Sequence, residues 1–144
     1  MDTIGLRIRN HVHGGVNNKL CVVTKIEYSI KNEKLTVIAT SEDGIEFEHL
    51  NPIPLTEDLL INSGFKKMTR DIFELKNREC FELSYNIGQY KCPLIFITKN
   101  GCFNHVVPAF NTDKCAFYPI ESLHQLQNLY FELTGKELEL KSQI

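Results

Sequence analysis

The residues best able to do chemistry fall into a few small groups. His11 and His13 stand two apart, the spacing that turns two side chains to one face of a strand. Two imidazoles with a nearby carboxylate suit a divalent metal. No third ligand stands at a diagnostic spacing, so the plainer alternative is polar surface on a strand edge. Cys102 lies three residues before His105, with Asn104 between them and Cys115 further on. A thiolate beside an imidazole is a nucleophile where its site is electropositive and partly open, yet the local signatures of cysteine enzymes are missing around it. Glu46 and Glu48 are expected on one strand face and Glu74 and Glu82 across a hairpin; general acid work needs burial, and solvated sheet faces look the same.

Two further groups suit binding. The run Lys66-Lys67-Met68-Thr69-Arg70, read as a loop, makes Lys66, Lys67 and Arg70 the best anion contacts, set against the commoner role of such charges in solubility. His124, Gln127 and Asn128 are three and four apart on an expected helix and form one polar stripe. The stripe is either solvated or a recognition surface for a partner, with Phe131 beside it as an apolar anchor. Neither Gly-x-x-x-x-Gly-Lys-Ser/Thr nor Gly-x-Gly-x-x-Gly occurs, and the hydrolase elbow Gly-x-Ser-x-Gly is missing. No set of these residues assembles a catalytic centre, and no cofactor is implied.

The elements that must carry these groups are mostly strands. Leu6-Arg7-Ile8-Arg9 alternates and runs into His11-Val12-His13 before Gly14-Gly15 turns the chain. Leu20–Val23, Lys25–Ile30 and Leu35–Ala39 follow, with a turn at Lys31–Lys34 where Asn32 tolerates a left-handed backbone. Asp43-Gly44 suggests a tight hairpin before Ile45–Glu48. Short strands at this density suggest a small SH3-like barrel or curled antiparallel sheet. Pro52 and Pro54 end that sheet, because neither can donate to a ladder. A short helix then starts at Thr56 as N-cap, with Glu57 and Asp58 in its first turn, Leu55 placed to staple Leu60, and Gly64 as its stop.

Strands return after Ile72. Phe73–Lys76 and Phe81–Tyr85 alternate around an expected turn at Asn77–Glu79, and Asn86–Gln89 reads as the next turn. Leu94–Ile97 is an unbroken apolar run, as in a strand buried on both faces. Asn100-Gly101 is the strongest hairpin signal in the chain. Val106–Pro108 and Cys115–Tyr118 are expected at the edges of this second meander. Ser122 and Gln125 fit a capping box, Gly135 a stop, and Leu123, Leu126, Tyr130 and Leu133 form the apolar face of the helix between them. Leu138 and Leu140 either add a short strand or fray.

Composition agrees with a folded α+β chain. The 144 residues are 42% hydrophobic and 24% charged, near the globular average, and suit one domain on the scale of about 100–200 residues. Its expected sub-modules are 1–50, 51–66, 67–118, 119–135 and 136–144. Sixteen Lys and Arg against eighteen Asp and Glu give a net charge of −2, which offers no general attraction to nucleic acid or anionic lipid. No apolar run reaches the roughly 18 residues of a membrane span. Met1–Arg7 lacks a basic segment followed by an apolar one. Five cysteines at irregular spacing, with no Cys-x-x-Cys, read as reduced thiols, although Cys92 and Cys102 flank a possible hairpin. The compartment expected is the cytoplasm.

Two stretches carry a resemblance. Asn51-Pro52-Ile53-Pro54-Leu55-Thr56-Glu57-Asp58-Leu59-Leu60, ending in Gly64-Phe65, resembles a "PIPLTEEWLLKFGF" pattern, and His124 to Leu138 is similar to "HQLQNLYFALTGEEL". Both occur in this order in a family of short uncharacterised proteins of bacterial genomes, prophages and tailed phages. Leu6–Asn10 resembles that family's "LRIGN" opening, with Arg9 in place of a usual glycine, and Asp58 stands where an aromatic tends to follow. The resemblance implies a phage or mobile-element setting and carries over no catalytic residue. The expectation is a non-catalytic accessory protein of a phage or prophage in the host cytoplasm. It would bind a host or phage protein, to interfere with host defence or to assist assembly, and could self-associate. The alternative is a protein that binds a nucleotide-like ligand through Lys66, Lys67 and Arg70; a Cys/His or metal enzyme ranks behind both.

Overall fold

The computed structural model describes residues 5–108 and 114–141. The opening residues 1–4 and the last three residues of the expected tail lie outside that range. Two antiparallel five-stranded sheets and two short helices make an α+β, mostly β chain. The chain divides into two compact units, residues 5–54 with 122–132, and residues 55–121 with 133–141.

The first unit holds β1 (His11–Gly14), β2 (Lys19–Ser29), β3 (Lys34–Ser41), β4 (Glu46–Phe47) and β5 (Leu50–Asn51), in the order β4-β3-β2-β1-β5. Only Glu48 and His49 separate β4 from β5, yet these strands lie at opposite edges of the sheet. Three residue steps reach about 10 Å at most. The sheet must therefore curl until its edges nearly meet. Val12, Cys21, Val23, Val37, Ala39 and Leu50 fill the inside of the curl with Leu6, and Phe47 packs on them. The ring of Phe47 also explains Gly14: a Cβ there would sit 2.7 Å from both the ring and Cys21 Sγ.

Several expectations change here. Leu6–Arg9 is not a strand, because Arg9 takes φ 75° and turns the chain before β1 begins. The two strands expected over Leu20–Ile30 are one, β2, joined through a bulge between Val23 and Lys25. In the turn that follows, Glu33 and not Asn32 has positive φ.

The second unit opens with α1 (Glu57–Asn62). Thr56 Oγ1 accepts from the Leu59 backbone N–H at 3.2 Å, and Gly64 with φ 94° ends the turn, as the cap chemistry requires. Then β6 (Lys66–Ile72), β7 (Leu75–Ile87), β8 (Tyr90–Lys99), β9 (Cys102–Pro108) and β10 (Cys115–Ile120) form a meander in sequence order. Leu94–Ile97 is buried throughout, and Asn100 and Gly101, both at positive φ, make the two-residue turn. The turn expected at Asn77–Glu79 is displaced to Phe73-Glu74, and Asn77 instead sits in β7 at φ 50°, where its N–H donates to Asp71 Oδ1 at 2.8 Å. Of the two strands expected at edges, β9 is internal; the edge strands are β10 and β6. Cys92 pairs with Tyr85 and Cys102 with Lys99, so the two are not cross-strand neighbours, and all five thiols are free.

The last helix is α2 (Leu123–Thr134), with Ser122 N–H donating to Gln125 Oε1 at 3.2 Å, one half of the capping box. Beyond Gly135, Leu138 is buried without forming a strand, and the Lys141 N–H donates to the Asn62 carbonyl at 2.8 Å. No helix among the described residues is long and apolar enough to cross a membrane.

Candidate functional site

The polar stripe of α2 is turned inward. Gln127 is 2% exposed and His124 8%, so these two do not face solvent, whereas Asn128 is half-buried and Phe131 is exposed. The reason lies on β1. Its pairing with β5 covers only His13 and Gly14, which leaves the His11 N–H on an open edge. Gln127 closes that edge: its Oε1 accepts from the His11 N–H at 2.9 Å, and its Nε2 donates to His11 Nδ1 at 2.7 Å. A buried backbone donor needs such a partner.

Asn128 does the same for the preceding loop. Its Oδ1 accepts from Asn10 Nδ2 at 3.0 Å and Arg7 Nε at 3.3 Å, and its Nδ2 donates to the Gly5 carbonyl. The Arg7 guanidinium lies 4.2 Å from the centre of the Phe131 ring. His124 meets Ser122 Oγ through Nδ1 at 3.0 Å, and burial pushes its imidazole below the ordinary value. The four residues proposed from sequence as a partner stripe thus serve the first unit's own interior and N-terminal loop.

His11 and His13 do share a face of β1. Among the described residues, though, no group of three His, Cys, Asp or Glu could hold a metal ion. On the same outer face of the curled sheet, His11, Leu20, Val22, Thr24, Thr40 and Glu42 line an open groove of about 430 Å³. Its floor is apolar, and its hydroxyls bond to each other, Thr24 Oγ1 to Thr40 Oγ1 at 2.7 Å.

In the second unit the candidate groups are kept apart. Lys66-Lys67-Met68-Thr69-Arg70 is strand β6 and not a loop, so Lys67 points away from the face shared by Lys66 and Arg70. Lys67 Nζ is held by Glu57 at 2.9 Å and Glu79 at 3.4 Å, and Arg70 by Glu82 at 2.7 Å. These carboxylates occupy the cations that an anion would use. Three residues apart on β9, Cys102 and His105 project to opposite faces. His105 instead lies against Phe96, ring centres 5.7 Å apart, and burial depresses its pKa. Asn104 is buried and donates to the Lys99 and Cys102 carbonyls across the Asn100-Gly101 turn. Glu46 is in β4 but Glu48 lies beyond it, and Glu74 is in a turn while Glu82 pairs with Lys66.

The surface that sequence reasoning missed is the outer half of the β2–β3 hairpin. Ile26 pairs with the buried Val37, and Tyr28 with Leu35, so these side chains continue the core face beyond the core. Among the described residues nothing covers them: Tyr28 is 61% exposed, Ile30 in the adjoining turn 85%, and Ile26 and Leu35 are exposed as well. β1 pairs with β2 no further than Val22, and its last backbone contact is at Val23; β4 reaches only Ala39 and Thr40 of β3. Among the described residues, both edges of this ribbon are therefore open. The signal was in the sequence, since the alternation Ile26-x-Tyr28-x-Ile30 is longer than the strands available to cover it.

Comparison of the chain with protein-family models, with curated proteins and with solved structures finds no match in any of the three.

Proposed function

We propose that the protein is a non-catalytic binding module that works by protein–protein contact through the outer half of its β2–β3 ribbon. One observation carries this reading: an apolar row of Ile26, Tyr28, Ile30 and Leu35 stands exposed on a ribbon whose outer strand edges are also unpaired among the described residues. Such an edge is a template for another strand, and apolar side chains beside it supply the specificity of the contact. The curl of the first unit is in keeping with an SH3-like barrel. The resemblance of residues 51–65 and 124–138 to proteins of prophages and tailed phages favours an accessory role in the host cytoplasm, with a host or phage protein as partner. A nucleotide-like ligand is disfavoured, because Lys67 and Arg70 are already matched by Glu57, Glu79 and Glu82.

The test is affinity capture from infected or lysogenic cells with the wild-type protein and with Tyr28→Ser/Leu35→Ser, after checking that both unfold at the same temperature. A protein retained by the wild type and lost by the variant supports the reading. Equal retention by both removes the ribbon from the contact, and retention of nothing by either overturns the reading.

A further inference from the structure

Residues 24–28 of β2 are five consecutive exposed positions in a strand. On one side they pair with β3; on the other, among the described residues, they have no backbone partner. The open stretch is bounded at one end by Val23, which exchanges hydrogen bonds with Arg9 and Asn10 at 2.8 Å each, and at the other by the turn after Ser29. Any strand that adds here is limited to this length. Lys25 and Glu27 point to one face, where they form an ion pair at 2.8 Å; Ile26 and Tyr28 point to the other.

We infer that the occupant of this edge is a second copy of the chain, paired antiparallel through residues 25–27 about a two-fold axis at Ile26. Charge complementarity selects both the partner and the register. With the axis at Ile26, Lys25 of each copy stands opposite Glu27 of the other and Ile26 meets Ile26; Thr24, the bulged residue whose side chain turns to Thr40 on the outer face, ends the regular pairing. Shifting the axis to Glu27 sets the two Glu27 carboxylates against each other, and shifting it to Tyr28 sets Lys25 against Lys31. Like charges directly opposite destabilise a strand pair and opposite ones stabilise it. Pairing in this way continues the sheet from copy to copy and joins the two apolar rows into one face. The inference rests on the ribbon being the binding surface, and it names the first protein bound there.

Sedimentation velocity over a concentration series tests it, with Glu27→Lys, Lys25→Glu and the double exchange Lys25→Glu/Glu27→Lys. The wild type is expected to dimerise with a dissociation constant on the order of micromolar, in keeping with a small interface. Either single exchange weakens the dimer by about tenfold or more, and the double exchange restores it because the pattern is again self-complementary. An Ile26→Cys variant is expected to cross-link to itself on mild oxidation, since directly opposed strand residues have Cα atoms about 4.5–5.5 Å apart; Tyr28→Cys is not, because it lies off the axis. A wild-type chain that stays monomeric to about 1 mM overturns self-pairing, as does a dimer indifferent to the charge exchanges. Either result leaves the capture experiment free to succeed, whereas loss of captured partner with an intact dimer points the other way, so the two failures are distinguishable.

Discussion

The side-chain amide of Gln127 holds His11 twice, taking the backbone N–H at 2.9 Å and giving its own N–H to imidazole Nδ1 at 2.7 Å. Nδ1 must therefore carry a lone pair. Gln127→Leu removes both bonds and orphans a backbone donor, which costs about 1–3 kcal/mol. Gln127→Glu keeps an acceptor for the backbone but faces the lone pair with a carboxylate. Urea midpoints at pH 7.5 should therefore fall for both variants, and an unchanged midpoint for Gln127→Leu would show that neither bond to His11 contributes to stability.

Burial lowers the pKa of His124 and of His105. The unfolded chain, with ordinary imidazoles near 6.5, then binds more protons than the folded one once the pH drops below that value. Stability is full above about 6.5 and declines as the pH falls toward the lowered folded values, by at most about 1.4 kcal/mol per pH unit for each group. Replacing His124 with Gln should flatten the profile between pH 6.5 and 5, where carboxylates scarcely titrate. An unchanged slope would mean that His124 protonates freely in the folded state.

Gly14 is where the ring of Phe47 meets the sheet, and any Cβ there collides at 2.7 Å with both that ring and Cys21 Sγ. Gly14→Ala should cost about 1–3 kcal/mol, the usual penalty for overpacking. Combining it with Phe47→Leu should recover part of the loss in a double-mutant cycle of thermal or urea unfolding.

Arg9 holds φ 75° at the turn into β1, a conformation that strains a side-chain-bearing residue. Arg9→Gly should raise stability by about 0.5–1 kcal/mol, the strain relieved outweighing the added freedom of the unfolded chain. A lower urea midpoint for the variant would show that the arginine side chain compensates for its backbone.

Cys21 and Cys80 are buried, and that burial pushes both thiols above their ordinary values; burial, with Glu74 alongside, does the same for Cys115. Labelling with iodoacetamide at pH 7.5, followed by peptide mapping, should modify Cys92 and Cys102 first. Cys21 and Cys80 should react only in denaturant.

Much of the fold was legible because it depends on neighbours in the chain. Thr56 caps α1, Gly64 ends it, Asn100-Gly101 turns β8 into β9, and the apolar run Leu94–Ile97 is buried on both faces, all for reasons local to a few residues. Backbone conformation was harder to place where two signals competed: Asn77 does adopt the left-handed region, but as a bulge within β7, because the hairpin register sets the turn three residues earlier.

What the tertiary structure alone decided is which way polar groups face and which edges stay open. A polar helix stripe reads as solvated by composition, yet Gln127 is buried against β1, whose edge β5 does not close at His11 and whose half-buried N–H there takes the Gln127 oxygen as its polar partner. Spacing put Cys102 near His105 in sequence, while the pleat of β9 sends them to opposite faces. The alternation Ile26-x-Tyr28-x-Ile30 signals an apolar row, but that the row stays open at residues 24–28 follows from the lengths of β1 and β4, which only the pairing of the strands reveals.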